Sequence, residues 1–225
     1  MNDQQTTVRV WDLPIRAFHW VLAASVLASI ATAWTGGNAM VCHLQLGYAA
    51  CALLAFRLVW GFIGGRWSRF AGFVYAPTTV GRHLRGASRP REHHDRGHSP
   101  LGAFSVFAVL GMLALQVATG LFADDEISNR PLSKFVSGAT DLALTKWHKG
   151  CGQWLIVALI VLHVGAILNY LRVRRRNLVE PMVTGDKRLV ALASQSVDAA
   201  GSRTLVAALQ VFCVGLVGCV VALAN

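Results

Sequence analysis

The chain has 225 residues, of which 54% are hydrophobic and only 14% are charged. Such a composition is too apolar for an ordinary soluble domain and indicates a membrane protein. The formal net charge of +10 could suggest nucleic-acid binding. The distribution of the basic residues along the chain is instead typical of a membrane protein, in which such residues set the topology.

Five apolar stretches are each long enough to cross a hydrocarbon core roughly 30 Å thick. In chain order, spans 1 to 5 are Pro14–Trp34, His43–Gly64, Leu101–Ala123, Trp147–Leu171 and Thr204–Ala224. The short connection Thr35–Cys42 makes spans 1 and 2 antiparallel neighbours. Ala123–Lys146 is expected to be a loop. Span 5 contains neither a histidine nor a charged residue, which indicates an accessory anchor or a partner-contact helix.

The lysines and arginines are divided unevenly between the two sides of the membrane. Seventeen of the 21 lie before span 1, around the connection from span 2 to span 3, or between spans 4 and 5. By the positive-inside rule, these segments are cytoplasmic. We therefore expect a multi-pass protein of the bacterial inner membrane with a cytoplasmic amino terminus. Five spans then leave the carboxyl terminus in the periplasm.

Four of the eight histidines lie in the apolar spans, at two matched depths. His43 and His148 begin spans 2 and 4 at the external side, whereas His19 and His163 lie near the cytoplasmic ends of spans 1 and 4. In a straight helix, His148 and His163 would lie within about 60° of one face and about 22 Å apart. Ionisable groups inside a membrane are costly and are functional candidates. Two imidazole pairs predict two non-covalent b haems, each with two axial histidines.

Small and cationic residues near these histidines are consistent with haem. Ala23, Gly47 and Gly152 each follow a predicted ligand by four positions, so a porphyrin could approach the backbone there. Ordinary helix packing in membranes gives the same pattern. Arg16 and Arg57 lie near the cytoplasmic boundary and are candidate partners of the haem propionates. Snorkelling toward lipid headgroups is the alternative for both arginines.

The remaining histidines and the cysteines indicate no further cofactor. His83, His93, His94 and His98 lie among arginines, which disfavours a bound cation and predicts a solvated loop. His98, just before span 3, is also a candidate propionate contact. The five cysteines form neither a CxxC pair nor a CxxCH site for covalent haem. They are expected to be small packing residues without disulfides.

Nine motifs follow one another between Val8 and Arg188. They are VRVWDLPIRAFHW, HLQLGY, FRLVWGFIG, RFAGFVYAP, GHSPLGA, ATGLF, HKG, LHVGA and NLVEPMVTGDKR. In this order they resemble the prokaryotic cytochrome b561 family, which includes the b-type cytochrome subunits of nickel-iron hydrogenases. GHSP stands where GHNP is common. The resemblance implies a four-helix membrane bundle with two b haems, whose ligands match His19, His43, His148 and His163. It also implies electron transfer between the quinone pool and a redox partner.

These inferences together predict an all-α membrane protein, consisting of a four-helix di-haem bundle and one further C-terminal transmembrane helix. We expect a di-haem domain at residues 1–188, a cytoplasmic linker at 189–203 and the accessory helix at 204–225.

Two haems at different depths predict electron transfer across the membrane. The expected partners are quinone or quinol and a periplasmic c-type cytochrome or hydrogenase, with no nucleic acid involved. One alternative is a superoxide oxidase that passes electrons from superoxide to quinone. The loop Ala123–Lys146 carries four acidic and three basic residues, so it would attract an anion only weakly. A histidine-based metal-ion transporter is disfavoured, because no span has an acidic residue in its middle.

Overall fold

The structure is a computed structural model, and it describes residues 6–85, 98–123, 132–189, 206, 209, 210, 213–215, 217 and 218. These residues are mostly helical. In chain order the elements are β1 (Thr6–Arg9), α1 (Leu13–Thr35), α2 (Ala39–Ile63), α3 (Pro77–Leu84), α4 (Pro100–Gly120), α5 (Gly138–Trp147), α6 (Gln153–Arg172), α7 (Val179–Thr184) and β2 (Asp186–Leu189). A π-helical segment, His148–Gly152, joins α5 to α6.

Within the described residues, four helical segments are long and apolar enough to cross a membrane. They are α1, α2, α4 and the continuous segment Gly138–Arg172, which contains α5 and α6. Large apolar side chains remain on the helix surfaces, and Phe62, Phe104 and Leu162 are each 68% exposed. So much exposed apolar surface is unfavourable in water and suits lipid. The first four predicted spans are therefore confirmed as apolar helices.

The chain divides into two compact units. The first consists of Met1–Ala17, Leu58–Ala108 and Leu162–Ser202. The second consists of Phe18–Arg57, Val109–Val161 and Arg203–Asn225.

A buried carboxylate organises the first unit. Asp12 is 3% exposed and caps α1 by accepting a hydrogen bond from the backbone N–H of Ile15 at 3.0 Å. Its second oxygen accepts from Trp60 Nε1 at 3.3 Å, from the Gly65 N–H at 3.1 Å and from Ser68 Oγ at 2.8 Å. These hydrogen bonds compensate for the hydration that the buried carboxylate has lost. They also connect the start of α1 to the end of α2.

The first unit also contains a short two-stranded sheet, which the expected all-α fold did not include. β1 and β2 pair antiparallel, with Thr6 opposite Leu189 and Arg9 opposite Asp186. The Arg9 Nε atom lies 2.9 Å from Asp186 Oδ1. Gly185, with a φ of 89°, ends α7 and turns the chain into β2. No local sequence pattern reveals strands paired across 177 positions.

The predicted loop Ala123–Lys146 is partly helical, because α5 occupies its second half. Ser137 begins α5 by accepting a hydrogen bond from the Thr140 N–H through its hydroxyl at 3.3 Å. The eight described residues of span 5 are helical, and its passage through a membrane stays a prediction. Four cysteines lie in the described part of the chain and all are free thiols: Cys42, Cys51, Cys151 and Cys213.

Candidate functional site

The second unit brings His43 and His148 together. His43 lies in α2 near its amino-terminal end, and His148 begins the π-helical segment after α5. Their ring centroids are 6.1 Å apart and their ring planes meet at 78°. Both side chains are half-buried. The expected meeting of these two histidines is therefore present in the structure.

Both imidazoles are held through the same nitrogen. His43 Nδ1 lies 2.9 Å from the carbonyl oxygen of Ser29 in α1, and His148 Nδ1 lies 2.9 Å from that of Gln116 in α4. A carbonyl only accepts hydrogen bonds, so in the neutral ring Nδ1 carries the proton. Each histidine therefore keeps the lone pair of Nε2 for a metal, which is the usual way in which a protein prepares an imidazole ligand.

The spacing of the two rings fits one shared iron. Metal–imidazole bonds are about 2.0 Å long, and a ring centre lies roughly 1.2 Å from its nitrogen, so two imidazoles on opposite sides of one metal would place their centroids about 6.4 Å apart. The observed separation is 6.1 Å. Haem b with two histidine ligands is thus compatible with the geometry of His43 and His148.

Gly120 is required by the position of the His148 ring. A Cβ atom at residue 120 would lie 2.7 Å from His148 Cε1 and 3.1 Å from Nδ1. Any side chain at this last residue of α4 would displace the imidazole. Gly120 therefore contributes to the site, although no local pattern in the sequence marks it.

The two glycines predicted to make room for a porphyrin differ in the structure. A Cβ at Gly47 would meet nothing within 4 Å, so the space beside it is open as expected. The space beside Gly152 is filled by the Gln116 amide and the Trp147 ring. The expectation is therefore wrong for Gly152, which serves helix packing instead.

The helix is irregular directly after His148. Gly150 has φ −105° and ψ −106°, which are not helical values. The straight helix assumed for the spacing of His148 and His163 therefore does not exist here. Gln116 Nε2 donates to the His148 carbonyl at 2.9 Å. Segments of π-helix are rare and are often found at functional sites.

The other two predicted ligands belong to different units. His19 lies in the second unit, half-buried, with its ring edge-on to Trp20 at a centroid distance of 5.2 Å. His163 lies in the first unit, on α6, and is also half-buried. Their pairing stays a prediction.

Arg16 and Arg57, the two predicted propionate partners, have different surroundings. Arg16 Nη1 donates to the carbonyl of Val183 at 2.5 Å, so its guanidinium binds the end of α7 rather than extending toward headgroups. Arg57 is only 3% exposed, which is incompatible with snorkelling to a membrane surface. Contact of either arginine with a propionate stays a prediction.

His98 does not lie in a solvated loop, and that prediction is wrong for this residue. Its ring packs 4.4 Å from Phe73 and 4.7 Å from Trp11, and its carbonyl accepts from the Tyr75 hydroxyl at 2.6 Å. The aromatic run before α3 could have indicated this packing. Ser99 caps α4 through its hydroxyl, a role that serine and asparagine share, so the departure from GHNP is conservative. His93 and His94 lie outside the described residues.

Long apolar helices with an imidazole pair between them define a class of membrane protein able to hold haem within its helices. The sequence profile of the prokaryotic cytochrome b561 family matches residues 10–185, and the chain belongs to that family. The protein is thus a membrane b-type cytochrome, with haem b as its cofactor and electron transport as its role.

Curated relatives match most of the chain at low identity. The probable Ni/Fe-hydrogenase 1 B-type cytochrome subunit of Escherichia coli K12 is 22% identical over 222 residues, covering 82% of this chain and 92% of the relative. The probable Ni/Fe-hydrogenase B-type cytochrome subunit of Azotobacter vinelandii is 26% identical over 219 residues, covering 81% and 89%. The Bradyrhizobium diazoefficiens protein of the same description is 21% identical over 220 residues, covering 81% and 86%. No solved structure gives a significant match.

Proposed function

We propose that this protein is the b-type cytochrome subunit of a nickel-iron hydrogenase and transfers electrons between that enzyme and the quinone pool of the inner membrane. The observation that carries the proposal is the full-length similarity to proteins described as hydrogenase cytochrome subunits, such as the relative covered to 92% of its length. Full-length similarity favours a shared assembly over a shared domain alone. It favours a hydrogenase over a soluble c-type cytochrome as the partner.

The chain holds two haems in this proposal. His43 and His148 are the axial ligands near the periplasmic side, as supported by their ring separation of 6.1 Å and by the two Nδ1 hydrogen bonds of 2.9 Å. His19 and His163 are the ligands of the second haem, near the cytoplasmic side. Arg57, buried in α2, and Arg16 are the proposed partners of propionate groups.

The ligand arrangement decides what the site does chemically. Haem b, when bound, supplies reversible one-electron transfer at its iron. His43 and His148 would hold the haem through Nε2 while Nδ1 stays hydrogen-bonded to a main-chain carbonyl, and two protein ligands would leave no iron position for a substrate. Quinone and the hydrogenase must therefore exchange electrons at the periphery of the haems, without binding to iron.

The remaining parts of the proposal concern the rest of the chain. Residues 1–188 form the di-haem domain with a cytoplasmic amino terminus. Residues 189–203 connect it to an accessory transmembrane helix at 204–225, which ends in the periplasm and contacts lipid or the hydrogenase.

Ligand replacement tests the haem assignment. The purified protein should contain two haems per chain by the pyridine haemochrome assay. His43→Ala and His148→Ala should remove one spectral component, and His19→Ala and His163→Ala should remove the other, because each pair shares one iron. His93→Ala is the control and should retain both haems. Loss of the same component in the His43 and His163 variants would contradict the pairing.

Stopped-flow absorbance tests the proposed redox partners. A reduced quinol analogue or a hydrogen-reduced hydrogenase should each reduce the haems of the purified protein, and the reduced protein should in turn reduce a quinone. Rapid reduction by superoxide, with no exchange with hydrogenase, would contradict the proposed partner and favour the superoxide oxidase alternative.

A further inference from the structure

Gln116 contacts His148 through both its main chain and its side chain. The Gln116 carbonyl oxygen accepts from His148 Nδ1 at 2.9 Å, and the Gln116 Nε2 atom donates to the His148 carbonyl at 2.9 Å. One residue of α4 therefore fixes the ring of His148 and also its peptide group.

The hydrogen bond from the Gln116 amide to the His148 carbonyl matters because His148 lies at an irregular point of its helix. It begins the π-helical segment, and two residues later Gly150 departs from helical φ and ψ. The regular hydrogen bonds of an α-helix do not hold the chain at such a point. The Gln116 amide adds a restraint on this irregular segment from a neighbouring helix, through its hydrogen bond to the His148 carbonyl.

Space for the amide is provided by Gly152. A Cβ atom there would collide with Gln116 Oε1 and would lie 2.9 Å from Trp147 Nε1. The Gln116 Oε1 atom is buried and has no hydrogen-bond partner among the described residues. A buried amide that leaves its acceptor unsatisfied is unfavourable. The favourable contribution that the structure shows for this polar side chain is the hydrogen bond that Nε2 donates to the His148 carbonyl.

We propose that Gln116 is a positioning residue for the haem held by His148. Its amide fixes the His148 peptide in the irregular segment, and this fixes the plane of the imidazole and keeps Nδ1 on the Gln116 carbonyl. Partners that orient a metal-bound imidazole in this way affect the basicity of the ligand and the affinity for the metal. The inference rests on the proposed role of His148 as an axial ligand.

Gln116→Met tests the proposal, because methionine retains the length of the side chain and lacks the donor. The matched control is Leu115→Met, which makes the same residue at the adjacent position, where the side chain is 45% exposed. The measurements are the low-spin ferric EPR g-values, the reduction potential of each haem, and the rate of haem transfer to apomyoglobin. The purified holoprotein in detergent is used throughout.

We expect Gln116→Met to shift the g-values and the potential of the component that is lost in His148→Ala, and to release that haem about tenfold faster. The other haem, and both haems of Leu115→Met, should behave as in the wild type. Should Gln116→Met fail to fold, Gly152→Ala provides a second route, because its methyl group displaces the amide and should alter the same component.

The outcomes separate this inference from the proposed function. If His148→Ala retains both haems, the proposed ligand set is wrong. If His148→Ala loses one haem while Gln116→Met and Gly152→Ala retain wild-type g-values, potentials and release rates, the positioning role alone is overturned. Equal changes in Gln116→Met and Leu115→Met would also overturn it, because they would reflect a general effect on α4.

Discussion

Replacing Gly120 with alanine would test whether the His148 ring lies where the structure places it. The new Cβ atom would lie 2.7 Å from His148 Cε1 and 3.1 Å from Nδ1, whereas carbon atoms in contact are about 3.5–4.0 Å apart. The ring or the end of α4 must therefore move by about 1 Å. Such a movement would break the 2.9 Å hydrogen bond from His148 Nδ1 to the Gln116 carbonyl.

The energetic cost follows from these two effects. Loss of one hydrogen bond costs about 1 kcal/mol, and overpacking costs about 1–3 kcal/mol. In the apoprotein the imidazole can rotate away and relieve the clash, but a metal-bound imidazole cannot. We therefore expect the change to weaken haem binding by about 2 kcal/mol or more, which is about 30-fold in affinity.

The assay is the rate of haem transfer to apomyoglobin, together with the haem content of the purified variant. Gly111→Ala is the matched control on the same helix, because a Cβ there meets nothing within 4 Å. We expect Gly120→Ala to lose the His43 and His148 haem selectively and Gly111→Ala to retain both haems. If the two variants release haem equally slowly, the reasoning from the position of the His148 ring is refuted.

Three further predictions concern topology and stability. A reporter fused after Asn38 should be periplasmic and one at Gly185 cytoplasmic, because the charge distribution places α7 inside; the opposite result would reverse the proposed depths of all four histidines. Asp12→Ala should lower the free energy of unfolding in detergent by about 3 kcal/mol, because four donors lose a buried carboxylate; a loss below about 1 kcal/mol would contradict this. The side chains of Arg9 and Asp186 are 41% and 37% exposed, so a double-mutant cycle on this pair should give a coupling energy of about 0.2–1 kcal/mol that decreases with added salt. A larger coupling energy that does not depend on salt would argue against a solvent-screened pair.

The sequence determined the features that depend on local pattern. Apolar length predicted five spans, because the thickness of the hydrocarbon core sets the length of a span. Within the described residues, four of them are helices able to cross a membrane. Antiparallel order and depth predicted that His43 would meet His148, and their rings are 6.1 Å apart. The ordered motifs indicated the family that matches residues 10–185.

Other features could be read from the sequence only in part. Gln116 is a polar amide within the apolar stretch of α4, and that was a signal of a role inside the membrane. The sequence could not say which residue it contacts. His98 shows the same limit, because the aromatic rings around it come from separate segments of the chain.

Only the tertiary structure decided which groups hold the His148 imidazole. Gln116 lies 32 positions from His148 in the chain, and the strands β1 and β2 join residues 177 positions apart. The need for glycine at position 120 likewise depends on a ring from another helix. Helical periodicity and hydropathy fix the depth and face of a residue within its own helix, because these follow from local backbone geometry and from transfer into lipid. Distances between helices follow instead from the packing of side chains that are remote in sequence, so neither the hydrogen bonds of His148 nor the clash at Gly120 is encoded in a local pattern.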